Sequence, residues 1–196
     1  MNSQLHTLRP IVGREPWGAA QSPSVCCEIL PVTLLAGQIY HLRRCGDGIG
    51  ATWHEPLASA HPSEAVRAHL EAFLGIALDP RASVVHSTAW RYVCDGSAGG
   101  QLILTYLAVL APGCHQEVTR SAGLIALEHV GPAQPARSET LMPPAQIGPA
   151  HVLAHALDHL SLLMETDAAI QAALGEAWRA ALRRRLPRPA GELRAA

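Results

Sequence analysis

The clearest chemical grouping in this chain is a row of imidazoles. His151, His155, Asp158 and His159 stand at positions i, i+4, i+7 and i+8. On a helix that spacing gathers all four on one face, within about 100° of arc. Imidazole nitrogens with a carboxylate suit Zn²⁺, or another divalent transition metal such as Fe or Mn, and two histidines four apart can share one ion. A metal so held would activate a bound water, with Asp158 as fourth ligand or as the group that orients a histidine. Val152, Leu153 and Ala154 separate the first two histidines, so the general-base glutamate of an H-E-x-x-H helix is not built in. The plainer alternative is a polar helix face, solvated or packed against the domain or a partner.

Trp90 and Tyr92 form a second grouping. In a strand, alternation puts His86, Thr88, Trp90 and Tyr92 on one face and Ala89, Arg91 and Val93 on the other. The two aromatic rings could stack on a flat ligand such as a base, or simply pack across strands. Trp53, His54 and Glu55 are a third grouping, in the loop GDGIGATWHEPLASAH, where adjacent imidazole and carboxylate could act as acid and base or as ligands. Arg179, Arg183, Arg184, Arg185 and Arg188 crowd the last helical stretch. A basic helix end can hold phosphate or RNA, and it can equally complement the negative pole of its own helix. The GDGIG run lacks G-x-G-x-x-G spacing and does not lead directly into a helix, so it makes no phosphate cradle.

These side chains need elements to position them. VCCEILPVTLL and QIYHLRRC read as strands separated by Ala36-Gly37, with Pro31 pointing to an edge or a bulge. PSEAVRAHLEAFL reads as a helix. Pro62 suits its start, Ser63 can cap it and Gly75 ends it in a left-handed conformation. Val66, Leu70, Phe73 and Leu74 make its buried stripe, with Arg67 and Glu71 a solvated pair on the other side. SVVHSTAWRYVC and QLILTYLAVLA form a long antiparallel hairpin, and GLIALEHV a short further strand. Glu28 and the Cys26-Cys27 pair read as structural.

The strand IYHLRRC, the Gly-rich GDGIG, W-x-x-P and then HPSEAVRAHLEAFLGI together resemble a Nudix domain passing through its signature box, G-x5-E-x7-R-E-U-x-E-E-x-G-U with U aliphatic. Anchored on Gly75 and Ile76, the aliphatic position falls on Leu70, as the box requires. The Arg-Glu pair falls on Ala68 and His69, and the Glu-Glu pair on Ala72 and Phe73. Arg67 and Glu71 are each one residue out of place. The family's paired carboxylates bind Mg²⁺, which needs hard oxygen ligands that Ala and Phe cannot supply. The resemblance covers roughly Val25 to Val130. It implies an α+β Nudix-like mixed sheet with one main box helix, a groove beside Trp53, His54, Glu55, Trp90 and Tyr92, and no pyrophosphate hydrolysis.

Composition bounds the rest. The chain has 196 residues, a formal charge of −1 and an apolar fraction of 48% against only 4% aromatic, so its core must rest on Ala, Leu and Val. Such a balance exerts no general pull on nucleic acid or an anionic membrane. All 15 basic residues are arginine, which excludes a P-loop or Schiff-base lysine. The 5 cysteines form no C-x-x-C pair, which argues against a disulfide framework or a zinc ribbon and for a reducing cytoplasm. The first ten residues carry no apolar signal segment, and no run is long enough to span a bilayer.

The expected organisation is an irregular segment over 1–24, the Nudix-like domain over 25–130, and a Pro-rich arm over 131–149. A helical element over 150–186, divided at Gly175, and a flexible tail over 187–196 follow. The helical element would bury Leu153, Leu157, Leu160 and Met164 against the domain, or against a second copy in a homodimer. Two functions from different classes are compatible with these residues. One is a non-catalytic binding or regulatory protein for a nucleotide-like or other small ligand. The other is a metal-dependent enzyme, a hydrolase by its chemistry, built on His151, His155 and His159.

Overall fold

The computed structural model describes residues 24–44, 53–56, 61–75, 77–93, 100–111, 125–131 and 146–193. The GDGIG connection, most of the Pro-rich arm, the first 23 residues and Cys45, Cys94 and Cys114 lie outside them. The architecture is α+β: a mixed seven-stranded sheet with helices on both faces.

Strand β1 (Ser24–Leu35) is the sheet's axis. It meets β2 (Gln38–Arg44) in a two-residue hairpin, where Ala36 and Gly37 both take positive φ (50° and 75°). That turn follows the right-handed twist of the paired strands. Along its other edge β1 runs parallel to β5 (Gln101–Val109), from Ser24 opposite Gln101 to Val32 opposite Val109.

Pro31 therefore sits in a central strand, contrary to the edge position its type predicts. The reason is local. Cys26–Ile29 pair with β3 (Trp53–Pro56) and Val32–Leu35 pair with β2, so Pro31 falls where the first partner has ended and the second has not begun. The Val32 carbonyl accepts from Leu110 on the β5 side, so the neighbouring Pro31 turns its missing N–H toward this hand-over. A proline there forfeits no ladder bond. β3 itself corrects the expectation that Trp53–Pro56 is loop.

Helix α1 (Pro62–Leu74) begins with His61 as N-cap, and no side chain caps it; Ser63 does not serve as the cap. Gly75 closes the helix at φ 67°, its N–H bonding the Glu71 carbonyl. Val66, Leu70 and Leu74 are buried against Cys27, Ile29, Tyr106 and Leu110 on one face of the sheet. Arg67 and Glu71 are half-buried rather than solvated. The Arg67 guanidinium donates to the Leu78 carbonyl (3.2 Å) and the Glu71 carboxylate accepts from the Leu78 N–H (2.9 Å). Together they fasten the chain after the helix and seat Leu78 in the core.

β4 (Val84–Val93) and β5 form the expected antiparallel hairpin, with one irregularity that re-aims several side chains. The register runs Ser87 to Tyr106 and then Ala89 to Thr105, leaving Thr88 as an extra residue. This bulge shifts the alternation by one. His86 joins Ala89 and Arg91 on one face, while Trp90 and Tyr92 lie on the α1 face. The uniform alternation read from the sequence is corrected accordingly. β6 (Ile125–His129) pairs with β2 and completes that edge.

Helices α2 (Pro149–Thr166) and α3 (Ala168–Leu182) cover the second face. The break between them is at Asp167, whose carboxylate accepts from the Ala169 and Ile170 N–H groups and caps α3. Gly175 makes the expected division as well: at φ 69° and ψ −168° it is non-helical, and two helical segments meet there at a kink within α3. Leu153, Leu157, Leu160 and Met164 pack with Leu30, Val32, Leu107, Val109 and Trp178, so the apolar stripe is covered within the chain itself. Each fully buried leucine contributes on the order of 1.5–3 kcal/mol. The expected flexible tail is instead tied down over its described part. Gly191–Glu192 form β7, parallel to β4, Leu193 is buried, and its N–H bonds the Trp90 carbonyl. No helix of the described residues is long and apolar enough to cross a membrane.

Candidate functional site

The His row lies on a helix whose residues 152 to 160 are all buried, because α2 is held between the sheet, α3 and the C-terminal arm. Each member is directed to a different place. His151 Nδ1 accepts from the Gly148 N–H (3.1 Å) and closes the start of α2. His155, fully buried, sets Nε2 at 3.1 Å from the Thr88 carbonyl of the bulge. A carbonyl only accepts, so that nitrogen carries the proton and has no lone pair for a metal. His159 likewise donates from Nδ1 to the Arg188 carbonyl (3.0 Å), and its ring lies 5.4 Å from that of His86. Among the described residues, no three His, Cys, Asp or Glu side chains gather as a metal ion would require.

Asp158 meets two arginines of the C-terminal arm. Its Oδ1 lies 3.8 Å from Arg185 Nη1 and its Oδ2 lies 3.4 Å from Arg188 Nε, while its carbonyl accepts from the Arg188 N–H. Burial pushes the Asp158 carboxyl above its ordinary value, and Arg185 and Arg188 offset part of that rise. Beside this pair opens a cavity of about 600 Å³. Its walls come from the β1–β2 turn at Gly37 to Ile39, the end of β6 at His129 to Gly131, and the end of α3 with the arm that follows. Arg184, Arg185 and Arg188 all line it. In the sequence, Asp158 stands with the histidines and the arginines stand at a helix end. Only the fold joins the two groups.

A second polar centre is buried on the sheet face that α2 packs against. Glu28, 1% exposed, holds the Arg91 guanidinium in a two-point contact; one contact is with Oε2 and the other, at Oε1, spans 2.9 Å. The Thr105 hydroxyl donates to the same Oε2 (2.8 Å). This triad links β1, β5 and β4 on the face that also receives His155. The lone acid in an apolar strand was its only sequence signal.

The opposite face carries the aromatic grouping. Trp90 and Tyr92 are each 41% exposed. Register places Trp90 opposite Leu104, Leu104 opposite Cys27 and Cys27 opposite Glu55, one continuous rung. Trp53 stands opposite Ile29 and His54 opposite Glu28; the side chains of residues 53 to 56 lie outside those described. Ser63 at the start of α1 and Ser87 on β4 both hydrogen-bond the Tyr106 phenol, whose pKa burial raises. β4 runs on past that point to Trp90 and Tyr92, so these rings lie beyond the end of the helix. Tyr92 lies across Gly100, where any Cβ would fall 1.9 Å from its hydroxyl. Cys27 is no ready nucleophile there: burial raises its thiol pKa, with Cys26 adding to the effect.

No family model and no curated protein sequence matches the chain. Its structure does resemble a solved one. The crystal structure of NrtR from Shewanella oneidensis superposes with a TM-score of 0.57 at 12% sequence identity, over 83% of this chain and 79% of that one. The two share a fold. At that identity the likeness extends no further than the α+β architecture.

Proposed function

We propose that this chain is a non-catalytic Nudix-like binding or regulatory protein, holding a nucleotide-like or other small ligand on the α1 face of its sheet. The observation that carries the reading is the pair Trp90 and Tyr92, two aromatic rings left 41% exposed beyond the end of α1. Stacking a base on such a ring is worth about 1–3 kcal/mol. Leu102 and Leu104 on the adjoining strand offer an apolar floor, and β3 borders the same surface through the rung ending at Glu55.

Catalysis is left out of the reading because the box positions that would hold Mg²⁺ carry His69, Ala72 and Phe73. None of these supplies a carboxylate oxygen. Binding without turnover is the role that remains for such a surface. The fold likeness to NrtR supports the scaffold and carries no argument about the ligand.

Titration of the full chain with ADP, followed by tryptophan fluorescence, tests the proposal. Saturable quenching is expected, weakened about 5-fold or more in Trp90→Ala, which corresponds to at least 1 kcal/mol of lost stacking. Phosphate release from nucleoside diphosphate derivatives on adding Mg²⁺ would overturn the non-catalytic reading. Saturable binding that Trp90→Ala leaves unchanged would overturn the site.

A further inference from the structure

The cavity beside Asp158 lies on the other face of the sheet from Trp90, and its charge is unbalanced. Three guanidinium groups line it against one carboxylate, a local excess of +2 in a chain whose formal charge is −1. Asp158 lies within ion-pair distance of two of them, Oδ1 3.8 Å from Arg185 Nη1 and Oδ2 3.4 Å from Arg188 Nε. The backbone fixes the arm that carries them at two points, where the Arg185 N–H bonds the Leu182 carbonyl and the Arg188 N–H bonds that of Asp158. Pre-orientation matters because an arginine fork contributes most to anion binding when little side-chain freedom remains to be lost. Arg184 is exposed at the same cavity and adds a third donor set.

We propose that this cavity is an anion site that binds the phosphoryl group of a small ligand between Arg184, Arg185 and Arg188. Phosphate is favoured over a single carboxylate because its three or more oxygens can engage several guanidinium groups at once. A small ligand is favoured over a nucleic-acid strand on two grounds. The volume of about 600 Å³ falls in the range of small-molecule pockets, and a formal charge of −1 gives the chain no general pull on a nucleic-acid backbone. Ile39, Val130 and Ala181 give the remaining wall an apolar character suited to the organic part of such a ligand. Asp158 acts as the internal counter-charge to these arginines.

The test is isothermal titration of the full chain with pyrophosphate and with inorganic phosphate, at constant ionic strength set by chloride. Saturable one-to-one binding is expected. Arg188→Gln and Arg185→Gln should weaken it tenfold or more. Arg184→Gln alters an exposed residue and so keeps the fold; it should weaken binding at least threefold. Ribose 5-phosphate binding more tightly than inorganic phosphate would assign an organic phosphate, and the reverse order would assign the free ion. No saturable binding, binding that all three arginine variants retain, or preferential capture of a long polyanion such as heparin at other than one-to-one stoichiometry would overturn the proposal.

Discussion

Replacing Arg91 with Met tests how β1, β4 and β5 are held together by a buried charge pair. The substitution keeps most of the side-chain length and leaves Glu28, 1% exposed, without its cationic partner. The Thr105 hydroxyl bond to Glu28 survives, but one neutral donor cannot balance a buried carboxylate. Breaking a buried pair from one side costs about 3–5 kcal/mol. A domain of this kind has roughly 5–15 kcal/mol in total, so the loss is a large share of it. With a urea slope of about 1–3 kcal/mol per molar, the midpoint followed by circular dichroism should fall by about 2 M. The double variant Glu28→Met with Arg91→Met removes both charges, and should recover to within about 1.5 kcal/mol of the original, since apolar replacements of buried pairs are often neutral. The cycle thus separates a stranded charge from lost packing. A cost below about 1 kcal/mol for Arg91→Met, or a double variant as unstable as the single one, would refute the assignment of this pair as a mutually dependent buried unit.

Three further outcomes follow from the same structure. His155→Phe takes the donor away from the Thr88 carbonyl at the β4 bulge, and should destabilise the chain by about 1–3 kcal/mol in urea unfolding while leaving its metal content, by elemental mass spectrometry, unchanged. Gly75→Ala places a Cβ at φ 67° in the closing turn of α1, and thermal unfolding should report a loss of about 1 kcal/mol. Asp158 carries a pKa raised by burial above its ordinary 3.8. The folded state therefore holds its proton to higher pH than the unfolded state, and stability falls as pH rises from the unfolded value through the folded one. Urea midpoints across that window should decline less steeply in Asp158→Asn than in the original chain; an equal slope would count against the shift.

Periodicity and turn chemistry made most of the elements legible in the chain itself. The Ala36-Gly37 hairpin, the stripe of α1 ending at Gly75, and the β4–β5 pair are short-range matters, and the residues that specify them are neighbours in sequence. The departure of the signature box from paired carboxylates was equally plain, because it depends only on which residue stands at each position. The tertiary structure decided what is set by contacts between distant segments. Pro31 is tolerated in a central strand because two partners change over beside it. Thr88 bulges out, and from there Trp90 and Tyr92 are turned to the open face while His86 is turned toward His159. The row on α2 read as one chemical unit because helix geometry aligns it. The environments packed around that helix divide it instead among the Gly148 N–H, the Thr88 carbonyl, the Arg188 carbonyl and two arginines. Local patterns determine the secondary elements, whereas the partner of a buried polar group is set by where the chain returns, and no spacing within one helix encodes that.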